Sequence, residues 1–201
     1  MQRILILLLA ALCVVSCGRR RSAPSQNTAA SDTRPRVFLP AIAPSGLSPE
    51  EQRDYLREHY WDRFDFADTL FTVRADTLQM VEAYARYIAL ISDRPTDGAP
   101  VDSLMRRASS SRRMLDYFSM LAERVLHDPN SPLRNDEFYI PVLQAQLRAP
   151  WYDEYERIAP QYDLEMAMQN RLGHPANDFR YTLASGASGT LYGLKAEYVL
   201  L

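Results

Sequence analysis

The residue types that could do chemistry are few and widely spaced. Two cysteines, Cys13 and Cys17, lie near the N-terminus, and three histidines, His59, His127 and His174, occur singly. None forms the His-Glu-x-x-His spacing that sets two imidazoles on one helix face for a metal. A histidine at a helix end, as His127 reads, suits the negative pole of the helix dipole. In "DRFDFAD" the carboxylates Asp62, Asp65 and Asp68 stand three apart. A calcium loop needs acids two apart, then a glycine and a distal glutamate. These carboxylates are therefore expected at a helix end and in an Asx turn, capping backbone amides. In "SGASGT" Ser188 follows Gly186 at the spacing of a nucleophile elbow, but Thr190 stands where the second glycine is required. The sequence holds no dinucleotide or phosphate-binding glycine loop. No catalytic, cofactor-binding or metal-binding residue is assigned.

The N-terminus carries a different chemistry. Met1-Gln2-Arg3 is a short basic start, and Ile4 to Val15 form an apolar run of twelve residues. A span of a bilayer needs about 20 apolar residues, whereas a run of this length fits the core of a secretory signal. The following "VVSC" resembles the bacterial lipobox. That resemblance implies removal of residues 1–16, diacylglyceryl attachment to the Cys17 thiol and acylation of the new amino terminus. Cys13 leaves with the signal and Cys17 becomes a thioether, so no free thiol or disulfide is expected. Membrane lipid, held through Cys17, is thus the first expected partner. Two or more acyl chains suffice for stable anchoring.

Residues 17–45 are rich in Arg, Ser, Ala, Thr and Pro and read as a flexible tether. Arg19, Arg20 and Arg21 could meet anionic headgroups or simply be solvated. The net charge of −2, nearer −3 once Arg3 is removed, excludes an overall basic field that would recruit nucleic acid.

At Ser48 the pattern changes. Ser48, Pro49 and Glu51 form a capping box with a first-turn proline, and Tyr55, Leu56, His59, Tyr60 and Phe64 follow at helical spacing. A second helix is expected from Asp76, with Leu78, Val81, Tyr84, Ala85, Ile88 and Ile91 on one face. "SDRPTDGAP" ends it. A third is expected over 101–127, its stripe being Leu104, Met105, Ala108, Leu115, Phe118, Ala122 and Val125, with a wet patch or bend at "SSSRR". Asn130 or Ser131 would cap a fourth helix running to Arg148, with Pro132 at its first position and Pro141 kinking it. A fifth would span 149–173, bent or split at Pro160 and closed by Gly173. Residues 46–173 thus read as an all-α domain of about five helices. Most of the twelve tyrosines fall on these helices, where they are expected in the core or, less commonly, lining a ligand cleft.

The last stretch, "HPANDFRYTLASGASGTLYGLKAEYVLL", resembles the opening of the periplasmic thioredoxin-like thiol–disulfide oxidoreductases. The matching residues are Pro175, Asp178, Phe179, Tyr181 and Leu183, then Gly186 or Gly189, then Leu191, Leu194 and Lys195. The run 198–201 matches the core strand. The upstream "LREHYWDRFDFADT" and "DPNSPLRNDEFYIPVL" resemble the helical domain of unknown function that precedes such thioredoxin-like domains in Gram-negative lipoproteins. The fold class expected is mainly α, with residues 174–201 forming a short β-hairpin that begins an incomplete thioredoxin-like α/β domain. In that family the core strand leads to a Cys-x-x-Cys, which would lie beyond Leu201. The apolar run 198–201 then reads as an interrupted strand, belonging either to an incomplete gene product or to a fragment that docks elsewhere.

Three functions are consistent with this pattern. The first is a lipid-anchored, periplasm-facing binding or scaffold module of an oxidoreductase-type protein, redox-silent in this chain and with a periplasmic protein as partner. The second is an incomplete thiol–disulfide oxidoreductase. The third is a structural envelope lipoprotein that binds glycan or protein.

Overall fold

The structure, a computed structural model, describes residues 35–93, 97–169, 171 and 173–199. Among them are seven α-helices and one two-stranded sheet, a mainly α architecture as expected. Helix α1 (Pro49–His59) starts on the anticipated box. The Ser48 hydroxyl accepts from the Glu51 amide at 3.3 Å, and the Glu51 carboxylate accepts from the Ser48 amide at 2.8 Å. This reciprocal pair satisfies two donors that a helix start leaves open, and it holds Glu51 below the usual carboxylate range. No residue of α1 is fully buried. Its work is to deliver the chain that follows, where Tyr60, Trp61, Phe64 and Phe66 enter the core.

The short helix α2 (Phe71–Arg74) leads to α3 (Thr77–Ile91), capped by Asp76, whose carboxylate accepts from the Gln79 amide at 3.1 Å. The buried face of α3 is Met80, Ala83, Tyr84, Tyr87, Ile88 and Ile91. It is rotated from the expected one, because Leu78 is 70% exposed. At 3.6 residues per turn Leu78 falls about 120° from Tyr84, and the aromatic cluster from Tyr60 to Phe66 draws the other side of the helix inward. Val81 and Ala85 sit at the margin, partly buried.

The single helix expected over 101–127 is two helices, α4 (Ala99–Ala108) and α5 (Arg112–Ala122), followed by a π-helical turn at Glu123–His127. Three serines cause the break. Ser109 and Ser110 donate to the carbonyls of Met105 and Phe66, each at 2.8 Å, while Ser111 accepts from the Met114 amide at 3.2 Å. Short hydroxyl side chains compete in this way with helix bonds and favour a cap. The expected apolar stripe survives intact across the break, every member of it buried. After the π turn Ser131 donates to the Val125 carbonyl, and the Asn135 amide donates to Leu126 at 2.9 Å. Asn135, rather than Asn130 or Ser131, caps α6 (Asp136–Arg148), and Pro132 lies in the preceding turn.

Pro141 sits inside α6 and cannot donate to the Glu137 carbonyl one turn back. Gly98 approaches that carbonyl: a β-carbon at Gly98 would lie 2.6 Å from the Glu137 oxygen, and the residue holds φ +78°. Only glycine meets both demands cheaply.

The fifth expected helix is shorter than 149–173. Residues 149–157 form turns in which Asp153 and Glu156 bind each other's amides, and α7 covers Ile158–Ala167 with Pro160 in its first turn. Met168 caps it, so Gly173, at φ +77°, lies in a later turn and does not close the helix.

Strands β1 (Arg180–Thr182) and β2 (Ser188–Thr190) pair antiparallel, with Tyr181 opposite Gly189. Gly186 takes φ +86° in the turn, and a 3-10 turn at Leu191–Gly193 follows β2. Residues 198 and 199 are in no strand and are exposed, so this part of the expected core strand is not formed, while 200 and 201 lie outside the described residues.

The tether expected over 17–45 is shorter in one direction. From residue 35 the chain belongs to the helical body. Arg36 bridges Ala75, and the Gln79 side-chain amide donates to the Phe38 carbonyl at 2.7 Å and accepts from its amide at 3.1 Å. Phe38 stacks on Trp61, centroids 4.8 Å apart. The aromatic partner for Phe38 comes from residues downstream, which is why local composition alone gives a tether. Cys17 and the remainder of the tether lie outside the described residues.

Candidate binding cleft

A cleft of about 350 Å³ opens between α1, the Trp61 turn, α3 and α4. Its walls are Arg57 and Glu58 from α1, Tyr87 from α3, and Pro100, Ser103 and Arg107 from α4. Trp61 forms its floor and stands at the centre of the aromatic cluster, stacked on Phe38 and edge-on to Tyr60, Phe64, Tyr87 and Phe118. The indole N–H of Trp61 is buried with no hydrogen-bond partner among the described residues. A buried unmet donor beside an open cleft is a natural point for a ligand's acceptor or a water.

Both arginines are pre-organised. Arg57 donates through Nε to the Leu90 carbonyl at 3.1 Å, and its guanidinium pairs with Asp54 and, at 2.7 Å, with Asp93. Arg107 donates to the Trp61 carbonyl at 3.0 Å and to Asp62 at 3.4 Å, and lies over the Phe66 ring. The Tyr87 hydroxyl donates to the Pro100 carbonyl at 3.2 Å, and burial pushes its pKa up to about 12 against the opposing pull of Arg107. The arginines' charge is thus largely balanced by Asp54, Asp62 and Asp93. The cleft can hold a polar ligand carrying both donors and acceptors on an aromatic floor.

The residues singled out in the sequence are not brought together. His59 stacks on Tyr55 and its Nδ1 lies 2.6 Å from Asp62. His127 ends the π turn and stacks on Tyr139, centroids 4.6 Å apart, in the wall of a separate cavity of about 500 Å³. Asp65 and Asp68 accept from the amides of Ala67 and Leu70 at 2.8 and 3.1 Å, the Asx turns expected of them. Among the described residues no group of three or more His, Cys, Asp or Glu could hold a metal ion. Ser188 is in β2. Sequence reasoning missed Arg57 and Arg107. The available signal was spacing: Arg57 lies one helical turn before Trp61, and Arg107 one turn after Ser103.

The fold and cleft define a helical module with an aromatic core, followed by a β-hairpin. The chain belongs to the family described as a domain of unknown function (DUF5106), whose model matches residues 16–170. A crystal structure of a thioredoxin-like protein from Bacteroides caccae ATCC 43185 is similar to it at 39% identity and a TM-score of 0.68. That match covers 80% of this chain and 58% of the relative, so the chain spans just over half the length of the protein it resembles. No curated protein matches the chain. The module is therefore one associated with thioredoxin-like proteins. Among the described residues no helix is long and apolar enough to cross a membrane.

Proposed function

We propose that the chain is the lipid-anchored N-terminal module of a thioredoxin-like envelope protein, holding a periplasmic partner near the redox half without doing thiol chemistry itself. The observation that carries this reading is the 39% identity to a thioredoxin-like protein over 80% of the chain. The "VVSC" sequence supports anchoring through Cys17, with diacylglyceryl and acyl groups as its modification and membrane lipid as its partner. The cleft around Trp61 supports binding rather than catalysis. With Cys13 removed and Cys17 alkylated, no thiolate remains for exchange.

Metabolic labelling with a palmitate analogue should mark the wild type and leave Cys17→Ser unlabelled. Equal labelling of both ends the lipoprotein reading. In an insulin-reduction assay with dithiothreitol the processed chain should match the blank. A second reading, a longer protein whose thioredoxin-like half carries the reactive thiols, is favoured by the 58% coverage of the relative. The same assay on the chain joined to that half separates the two.

A further inference from the structure

Helix α7 carries two faces. One, with Pro160 buried and Leu164 packed against the core, lies on α6. The other bears Ile158, Tyr162 and Met166, four residues apart, with Tyr155 just before the helix; they are 61%, 60%, 43% and 81% exposed. At 3.6 residues per turn the three helical positions fall within an arc of about 80° and extend about 12 Å. Single exposed apolar residues are ordinary, but four large ones in line mark an interaction face. Their spacing of three and four residues is how helices anchor on an apolar partner.

The chain leaving this helix is the thioredoxin-like segment. Arg171 forks onto Glu137 of α6, with Nε to Oε1 at 2.8 Å, which holds Glu137 below the usual carboxylate range. This fixes the exit point beside α7. Phe179 lies eight positions beyond Arg171, so a domain beginning there stays within about 27 Å of the pinned point. A short tether of that kind gives millimolar effective concentration, and a modest apolar patch is then enough for docking. The hairpin itself points apolar residues outward, Leu183 and Tyr192 among them. The relative has 42% of its length outside the matched portion, the complement of the 58% covered.

We propose that the Tyr155–Ile158–Tyr162–Met166 face is the docking surface for a thioredoxin-like domain joined through residues 174–199. The proposal rests on the module reading above and names the surface that reading requires. Docking would set the redox half in a fixed orientation on α7 and leave the Trp61 cleft on α1, α3 and α4 open.

The test is hydrogen exchange on two proteins, this chain and the same chain extended at Leu201 with the portion of the Bacteroides caccae relative beyond the match. Amides of α7 should exchange about tenfold more slowly in the extended protein, the protection expected of a docked helix face. Ile158→Asp with Tyr162→Asp should abolish that protection, and Leu78→Asp, an exposed apolar site elsewhere, should leave it unchanged. If the added half is protected within itself while α7 exchanges equally in both proteins, docking is overturned and the module reading stands. If the added half shows no protected amides, both fall. Protection of α7 in the unextended chain that grows with protein concentration assigns the face to a second copy and also overturns the proposal.

Discussion

In the helical body Phe118 exposes none of its surface and makes ring contacts with Trp61, Phe64, Phe66 and Tyr117. In the hairpin Tyr192 is 61% exposed, and its hydroxyl donates to the Ala176 carbonyl of its own segment. Both regions are rich in aromatic residues, yet only one buries them. The body stacks helices on several sides of one cluster. The hairpin has two strands of three residues and therefore one thin layer. A lone two-stranded ribbon is marginal in water whatever its composition. Stability belongs to the body, and the hairpin's apolar residues are available to a neighbour.

The largest expected effect lies at the cluster's centre. Phe118→Ala should cost about 3–5 kcal/mol, the usual range for emptying a buried aromatic site, read as a lowered midpoint in urea unfolding. A loss within the range of a surface change, under about 0.5 kcal/mol, would break the contrast. Phe38→Ala asks where the body begins. Its ring is buried on Trp61, so about 3 kcal/mol should be lost. If the segment before Gly46 were a free tether, the change would be silent.

Gly98→Ala comes next. The added carbon would meet the Glu137 carbonyl, which is backbone and part of α6, while alanine at φ +78° is strained in any case. Backbone strain of this kind costs about 1–3 kcal/mol. Recovery of wild-type stability in Gly98→Ala would mean that α6 shifts freely, against its packing on α4. Ser48→Ala should cost about 1 kcal/mol through loss of the N-cap; an unchanged midpoint would move the start of α1.

How far these features could be read from the sequence follows the range of the interactions behind them. The Ser48 cap and the helix start at Asp76 were legible because a cap joins residues three apart. The stripe from Leu104 to Val125 was legible because burial repeats with the helix period. The break at Ser109–Ser111 was only half legible: each serine's choice depends on a partner, and Ser110 finds its carbonyl on Phe66, 44 residues away. The same holds for Phe38, whose place needs Trp61 and Gln79. Asn135 was missed as a cap because the π turn draws residues 128–135 back across its own carbonyls before α6 can start. Of the cleft, Tyr87 falls under the general expectation that the helical tyrosines enter the core, whereas Trp61 is not singled out. Spacing places Arg57 and Arg107 each on its own helix, but their convergence needs α1, the Trp61 turn and α4 brought to one cleft.

The smallest effect on global stability should come from the hairpin turn, and it bears most directly on the contrast. Gly186 holds φ +86°, and nothing lies within 4 Å of where a β-carbon would stand. Gly186→Val therefore meets nothing at its β-carbon and acts mainly through the backbone, since a β-branched residue resists positive φ. A cost of about 1–3 kcal/mol is enough to open a three-residue pairing that has few bonds to lose. The Leu183 amide bond to Ala187, 2.8 Å in the intact turn, should be lost first. Exchange of the amides in 180–190 should rise accordingly, as local openings do when a segment leaves without its neighbours. The body gives up none of its aromatic contacts in this event, so its melting midpoint should move by less than the equivalent of about 0.5 kcal/mol. A midpoint that falls together with the hairpin would show one cooperative unit, in which the exposed faces of the hairpin and α7 answer to each other within this chain.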